Sequence, residues 1–536
     1  MTTRHRIDEA LTSERMGDVE KYFHNLVTMI DANSGEHDFK MITTDCYNVN
    51  APFKADRFTT FQLTDRAVDI VDISKGFIHM KVNVDVQFLY KDASKFTDSN
   101  ELSEACYMFV GLKNSACLIN NYNIISNGRM TSCKNTKAKH EQAINYMCKS
   151  KEERAGRPGM YSPHDKVRKM SDCVCGTYIK LPSLTEKDSI KPISFDVVIQ
   201  IDDLLPFAAL SYFPRFICQE LELQLSCNLI QNMVFCQVPF KSVIEKICEN
   251  NDQFDMLSNA IIKPTMKMDC RFTQCGDYAE GLLAYGTPYE SSEYTINVSN
   301  LEIIEAKSYV YGFNIKEDTK ANLYREFQTN NFVVPAQWIE HYTLSQLPTV
   351  NNIRTNIQVP MFNCTQVIFT FPNSGNQLTV SRNPHLEAVQ CHISDRIIPD
   401  KFFNTLDKQH SEMTLANLNL DSLFTAPDEL IESLIKDRKE YDSWTLKKID
   451  DSDYMLVFNL ERFGNGCYCD GMTGNPIPIN ITANYMKSTR NPHYYDKNGK
   501  LQVQNINMFI VQDSFWQFGP DGGRFIKDEI DVQQLF

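Results

Sequence analysis

The sequence predicts an all-β protein with a few inserted helices, arranged as two β-sandwiches in tandem. Three observations lead to this fold class: apolar residues alternate with polar ones, strand candidates outnumber helices, and the chain is too long for a single core. Its 536 residues, 42% hydrophobic and 11% aromatic, are enough to fill two packed interiors. A parallel α/β fold would alternate strands with helices in a short rhythm that this sequence lacks.

The strand signal is clearest in HMKVNVDVQFLY, where Met80, Val82 and Val84 share one face and Lys81 and Asp85 the other. This alternation is typical of an antiparallel strand with one covered face. The run YMLVFNL (454–460) is apolar without alternation and predicts a strand covered on both faces. Together with turn signals, the pattern gives about sixteen strands. Further alternating segments are ELELQL (220–225), EYTINV (293–298), QVIFTF (366–371), IPINITANYM (477–486) and INMFIVQDSF (506–515).

Three parts of the chain can be separated by pattern. Residues 1–40 form an N-terminal amphipathic helical arm, residues 41–250 the first sandwich, and residues 251–536 the second. The boundary is placed where the polar segment ENNDQFDMLSNAII (249–262) interrupts the strand rhythm. Because no low-complexity linker separates the halves, we expect them to pack against each other.

Helices are few. Residues 13–30 place Met16, Phe23 and Ile30 on one stripe, which predicts an arm that lies on a surface. Two further helices are predicted within the second sandwich, near 316–328 and 427–441. The latter has proline and acidic residues at its start and basic residues toward its end.

Composition excludes several classes of function. A net charge of −14 argues against a broad grip on a nucleic-acid backbone. We expect no secretory signal and no membrane-spanning segment, because the N-terminus lacks an apolar region and no 18 apolar residues run together. Seventeen scattered cysteines, an odd number, are typical of reduced thiols in an intracellular compartment.

The adjacent Glu340 and His341 are the most tempting catalytic pair. Neighbouring residues on a strand point to opposite faces, so these two side chains cannot easily serve one substrate. The same argument applies to Cys391 and His392 as a nucleophile and its base. An ordinary strand covered on both faces explains Glu340 and His341 without any chemistry.

The remaining candidates are weaker. Cys173–Cys175 and Cys467–Cys469 have one-residue gaps, too short for a usual zinc knuckle. FGPDGGRF (518–525) lacks the Lys-Ser/Thr of a phosphate loop and predicts a hairpin turn. KKIDDSDY (447–454) lacks the spaced ligands and glycine of a calcium loop. We therefore expect no catalytic, cofactor-binding or metal-ligating residues, and no enzyme.

Several stretches, in this order, resemble the double jelly-roll major capsid proteins of the Polinton/Maverick, adintovirus, virophage and polinton-like virus type. The similarity covers strand, turn, helix and proline positions rather than a unique signature. Ser115-Ala116-Cys117 departs from the Ser-Leu-Phe typical of that family, and His385 follows Asn383-Pro384 where Phe is typical. The stretches are GLKNSACLINNYNIISNGRM to Met147 (111–147), LLPFAALSYFPRFICQELELQLSCN (204–228), SNLEIIEAKSYVYGF to Leu344 (299–344), NIQVPMF to Phe403 (356–403) and the closing strands from YMLVFNL (454–518).

The resemblance implies two eight-stranded antiparallel jelly-roll sandwiches in each chain. It further implies homotrimeric, pseudo-hexagonal capsomers that tile an icosahedral shell, with neighbouring capsomers, penton proteins and minor capsid proteins as partners. No cofactor and no direct contact with nucleic acid are implied, and membrane contact stays open. The expected location is the virion capsid, after assembly in a reducing compartment of the host cell, cytoplasm or nucleus.

Two alternatives stay open at this point. A polysaccharide-active β-sandwich enzyme could assemble paired carboxylates from distant strands, although three tryptophans are few for a sugar-binding groove. A lattice or scaffold protein of the same fold, which is not a capsid, would have the same sequence features.

Overall fold

The computed structural model describes most of the predicted strand regions and not the N-terminal arm. The described residues are 40–46, 52–54, 57–90, 107–112, 115–133, 176–180, 190–207, 210, 212–227, 234–237, 273–274, 294–329, 332–345, 352–354, 357–360, 364–371, 386–393, 396–403, 408, 455–460, 476–485, 505–519 and 522–526.

Fourteen strands precede a 13-residue helix in the described chain. The short helix α1 (Arg215–Cys218) lies among them, and α2 (Glu317–Thr329) follows them. The strands are β1 (Lys40–Asp45), β2 (Phe53–Lys54), β3 (Thr59–Gln62), β4 (Ile70–Tyr90), β5 (Tyr107–Leu112), β6 (Ile119–Ser126), β7 (Arg129–Cys133), β8 (Gly176–Lys180), β9 (Ile190–Gln200), β10 (Tyr212–Pro214), β11 (Leu221–Cys227), β12 (Val234–Gln237), β13 (Thr273–Gln274) and β14 (Tyr294–Phe313).

Ten strands follow α2 in the described chain. They are β15 (Phe332–Ser345), β16 (Asn352–Arg354), β17 (Ile357–Pro360), β18 (Cys364–Thr370), β19 (Leu386–Ile393), β20 (Arg396–Phe403), β21 (Met455–Asn459), β22 (Pro476–Tyr485), β23 (Asn505–Gly519) and β24 (Gly522–Phe525).

The strand pairing defines two jelly rolls. In the first, eight strands are numbered 1 to 8 in chain order: β1, β3, β4, β6, β7, β9, β11 and β14. Their sheets have the orders 1-8-3-6 (β1–β14–β4–β9) and 2-7-4-5 (β3–β11–β6–β7). In the second, β15–β23–β18–β21 again has the order 1-8-3-6. The other sheet, β16/β17–β22–β19–β20, has the order 2-7-4-5. All of these pairs are antiparallel, as in the nested Greek keys of a jelly roll.

This order confirms the predicted all-β double jelly-roll and corrects the predicted boundary. β14 pairs with β4 from Tyr294 to Phe313, so the eighth strand of the first sandwich lies far beyond residue 250. The polar segment 249–262 lies outside the described residues, and in the sequence it comes between the seventh strand, β11, and the eighth strand, β14. The first jelly roll therefore extends to Phe313.

The helix predicted near 316–328 is confirmed as α2, but it links the two jelly rolls instead of interrupting the second one. Its first turn carries Glu317 and Asp318, whose negative charges are stabilised by the positive end of the helix dipole. The helix predicted near 427–441 and the helical segment 13–30 lie outside the described residues.

Alternating sequence produces the predicted inner faces. In β4, Met80, Val82 and Val84 are almost completely buried, whereas Lys81 and Asp85 are only half-buried. Each such aliphatic side chain contributes about 1.5–3 kcal/mol when it leaves water. Four successive residues of β21, Met455–Phe458, are all buried, which confirms a strand covered on both faces.

A third sheet belongs to the first jelly roll, with the order β13–β12–β5–β8. Its strands come from the 3-to-4, 5-to-6 and 7-to-8 connections of that jelly roll. These connections leave β4 after Tyr90 and β11 after Cys227, and enter β14 at Tyr294, all at one end of the sandwich. The 6-to-7 connection, with β10 and α1, lies at the opposite end, where β10 pairs with the start of β4.

Candidate functional site

The two jelly rolls meet at an aromatic junction. Phe207, in the 6-to-7 connection of the first, lies 5.0 Å from Trp516 and 5.1 Å from Phe518, measured between ring centroids. Phe213 of β10 lies 5.5 Å from Phe518 in an edge-on arrangement. All four rings are almost completely buried. Such ring pairs add about 0.5–1.5 kcal/mol each to the free energy of area burial.

Backbone contacts extend this junction. The amide of Gln337 in β15 donates a hydrogen bond of 2.9 Å to the carbonyl of Pro206. Gly522 starts β24 with φ of +94°, and a Cβ placed there would lie 2.1 Å from the carbonyl oxygen of Ser126 and 2.6 Å from Cβ of Arg129. Only glycine permits so close an approach of the second jelly roll to the β6–β7 turn of the first.

A buried carboxylate holds α2 to the first jelly roll. Asp69 Oδ1 accepts a 2.7 Å hydrogen bond from Lys320 Nζ of α2, and its Oδ2 accepts one of 3.4 Å from the amide of Ile315. The backbone amide of Asp69 donates to Asn314 Oδ1 at 3.0 Å. Leu323 on the same helix is completely buried. The linker between the jelly rolls is therefore fixed by charge and by packing.

One face of the β1–β14–β4 sheet carries a band of half-buried rings. Phe77 stacks on Tyr309 with centroids 4.9 Å apart, and His79 meets the same tyrosine edge-on at 6.4 Å. Tyr311 lies farther along β14, opposite Met41 of β1, which is 57% exposed. We call Met41, Phe77, His79, Tyr309 and Tyr311 the aromatic face.

Charged side chains of both signs surround the aromatic face. His79 Nε2 lies 3.1 Å from Asp196 Oδ1 of β9. Lys307 donates a short hydrogen bond to Glu305, which lowers the pKa of that carboxyl and raises the pKa of the lysine. This sheet surface therefore has an aromatic centre and a polar edge of mixed charge.

The structure places Glu340 and His341 on opposite faces of β15. Tyr342 Oη donates a 2.7 Å hydrogen bond to Glu340 Oε2, and burial is the main cause that raises the pKa of this phenol. On the other face, His341 stacks on Phe509 with centroids 4.9 Å apart. The two side chains serve the packing of the strand separately and do not converge on one site.

The other sequence candidates are also kept apart where they are described. Cys391 is completely buried in β19 and its neighbour His392 is half-buried, since successive strand residues face opposite ways. Burial raises the pKa of the Cys218 thiol well above its ordinary value. The Cys173–Cys175 and Cys467–Cys469 pairs and the acidic segment 447–454 lie outside the described residues.

The described part of the chain contains neither a metal-binding cluster nor a membrane-spanning helix. There, no group of three or more His, Cys, Asp or Glu side chains is arranged to hold a metal ion. None of the helices described above combines the length and apolar character needed to cross a bilayer.

Sequence reasoning missed the role of the Gly522–Gly523 pair. It predicted a hairpin turn there, and β23 and β24 do form a hairpin. The structure adds that a Cβ at Gly523 would lie 2.3 Å from Trp516 Nε1, so the indole packs directly on the backbone. Two adjacent glycines, one more than a hairpin turn needs, are the signal for this close approach.

No protein-family model matches the sequence, and no curated protein matches it. Among solved structures, the chain is similar to the mavirus major capsid protein (10% identity, 92% of each chain covered, TM-score 0.49). It is similar to a chain of the Sputnik virophage structure (9% identity, 93% of this chain and 90% of that chain, TM-score 0.49). It is also similar to a chain of the PBCV-1 virus capsid (8% identity, 91% and 97%, TM-score 0.44).

Proposed function

We propose that this chain is a major capsid protein, a structural protein whose homotrimers form pseudo-hexagonal capsomers. These capsomers would tile the icosahedral shell of a virus or virus-like element. The observation that carries the proposal is the repetition of one strand order, 1-8-3-6 over 2-7-4-5, in two sandwiches of one chain. Each chain has two equivalent jelly rolls, which we call its lobes. Three copies supply six lobes, and six lobes in a closed ring fill a hexagonal outline.

The junction between the lobes supports this role. A tile must hold its lobes at one fixed angle, because an error in that angle would accumulate over a shell. Phe207 and Phe213 of the first lobe pack into the rings of Trp516 and Phe518 of the second. The bond from Gln337 to Pro206 and the Asp69–Lys320 pair fix the same end of the molecule. These contacts favour one fixed angle between the two lobes.

The net charge of the chain also supports a role as a shell subunit. A net charge of −14 favours solubility of free capsomers before assembly, and it disfavours a broad grip on a genome. The proposed location is the virion capsid, after assembly in a reducing compartment of the host cell. Its partners are other copies of itself, neighbouring capsomers, and penton and minor capsid proteins.

Light scattering after gel filtration tests the first step. A homotrimer of 61.7 kDa chains has a mass of about 185 kDa. That mass is expected for the purified full chain, and a stable 61.7 kDa monomer at every concentration would overturn the proposal.

Nuclease treatment of the assembled particles separates a capsid from a scaffold of the same fold. A capsid encloses its genome, so DNA that resists nuclease should co-purify with shells from the native source. Shells that consistently lack protected DNA and cover lipid vesicles instead would assign the chain to a membrane-dressing scaffold.

A further inference from the structure

We propose that the aromatic face of the first jelly roll (Met41, Phe77, His79, Tyr309 and Tyr311) binds the second jelly roll of a neighbouring copy of this chain. The inference rests on the proposed function, because it assigns a surface to the contact between copies. Each jelly roll pairs its first strand with its eighth strand. The two pairs differ in how their faces are covered, and this difference is the basis of the inference.

In the second jelly roll, this strand pair is β15–β23, and both of its faces are covered. One face carries Phe332, Val334, Trp516 and Phe518, which are buried where the first jelly roll contributes Phe207. The opposite face of the same two strands is also buried. Its side chains include Val333, Ile339, Phe509 and Val511.

In the first jelly roll, the equivalent pair is β1–β14, and the residues that the structure describes cover only one of its faces. Val310 and Ser308 are buried on the inner face, and Ser308 Oγ donates a 3.0 Å hydrogen bond to the carbonyl of Gln62 in the opposite sheet. On the outer face, Tyr309 and Tyr311 are half-exposed and Met41 is 57% exposed. Among the described residues, the chain therefore covers the outer surface of the β15–β23 pair and leaves that of the β1–β14 pair open.

A closed ring of lobes explains this difference. In such a ring every lobe contacts the next through the same kind of heterologous interface. Within the chain, the first lobe covers the β15–β23 face of the second lobe. Between chains, the equivalent contact places the second lobe of one copy on the β1–β14 face of the next. The face left open in the monomer is the one that ring closure requires.

The chemistry of the aromatic face fits a protein partner. Stacked rings and a methionine at the centre, with charged residues around them, are typical of the anchors and rim of a protein interface. The rim offers both signs of charge through Asp196, Lys307 and Glu305. Although the chain has a net negative charge, it also carries basic groups. A second copy can therefore place charges of opposite sign against this rim.

Met41→Asp in the full chain tests the proposal against a matched control. Met130 on β7 is 60% exposed and lies on a different sheet of the same jelly roll, so Met130→Asp introduces the same charge at similar exposure. In sedimentation equilibrium, Met41→Asp should raise the concentration of half-dissociation by about tenfold or more, since a charge enters an apolar anchor. Met130→Asp should match the wild-type chain.

The outcomes separate this inference from the proposed function. A wild-type chain that never associates overturns the proposed function itself. A trimeric wild type whose association is unchanged by Met41→Asp, or weakened equally by Met130→Asp, overturns only the assignment of the face. A photo-crosslinking phenylalanine derivative in place of Tyr311 gives a second readout that does not depend on weakened assembly. Its cross-links should reach residues 332–536 of another copy, and cross-links confined to residues 40–313 of that copy would contradict the assignment.

Discussion

Replacing Gly522 with alanine tests whether the two jelly rolls are held in the direct backbone contact described above. The added Cβ would lie 2.1 Å from the carbonyl oxygen of Ser126, across the junction. Real Cβ contacts are not shorter than 3.0 Å, so the β23–β24 hairpin must retreat from the β6–β7 turn by about an ångström. The rings of Trp516 and Phe518, which sit on the same hairpin, would then separate from Phe207.

The expected cost has two parts. An L-residue at φ of +94° stores about 1–3 kcal/mol of backbone strain. Losing three junction ring pairs, from Phe207 to Trp516 and Phe518 and from Phe213 to Phe518, removes about 2–4 kcal/mol more. Gly522→Ala should therefore lower the free energy of unfolding by about 3–7 kcal/mol in total.

Gly128→Ala is the matched control. Gly128 has φ of +79°, close to that of Gly522, but a Cβ there would meet nothing within 4 Å. It therefore reports the cost of backbone strain alone. Denaturant unfolding followed by tryptophan fluorescence and by circular dichroism measures both variants. For Gly522→Ala, we expect the larger loss of stability and a fluorescence transition that precedes the far-ultraviolet one. Equal losses in the two variants would contradict a direct backbone contact between the two jelly rolls at Gly522.

Lys320, Gln219 and the N-terminal arm each give a further prediction. Lys320→Met leaves the Asp69 carboxylate without its charge partner and should cost about 1–3 kcal/mol in denaturant unfolding, whereas Arg325→Met on the exposed side of α2 should be close to neutral. An equal cost for both would contradict the Asp69 contact. Gln219 has φ of +62° and ψ of −130°, a region suited to glycine. Gln219→Gly should therefore raise the free energy of unfolding by about 1 kcal/mol and raise the thermal midpoint with it, and a lower midpoint would count against this prediction. Deleting residues 1–34 removes the predicted amphipathic arm and should leave trimers intact in light scattering while it impairs shells in electron micrographs, a result that wild-type shell formation would contradict.

The inside-outside pattern of the strands could be predicted from the sequence because burial acts on each residue locally. Met80, Val82 and Val84 in β4 were predicted to share a face, and they are buried together. The apolar run of β21 was predicted to be covered on both sides, and it is. In each case burial selects apolar residues at the positions that face the interior. The resulting pattern, alternating in β4 and continuous in β21, can be recognised without knowing the partner strand.

The pairing of distant strands could not be predicted in this way. β1 pairs with β14, which begins about 250 residues later, and no local pattern encodes that register. The boundary at residue 250 was wrong for this reason, because a polar segment alone does not show whether it connects two strands of one jelly roll or links two jelly rolls. The junction was missed because Phe207 and Trp516 are ordinary aromatic residues until the fold brings them together.

Single-particle electron microscopy of the purified full chain would show directly whether three copies form a six-lobed ring. We expect threefold-symmetric particles with six lobes of similar size around a ring, two lobes from each chain. Particles with two lobes and the mass of a single chain, unchanged at high protein concentration, would contradict it.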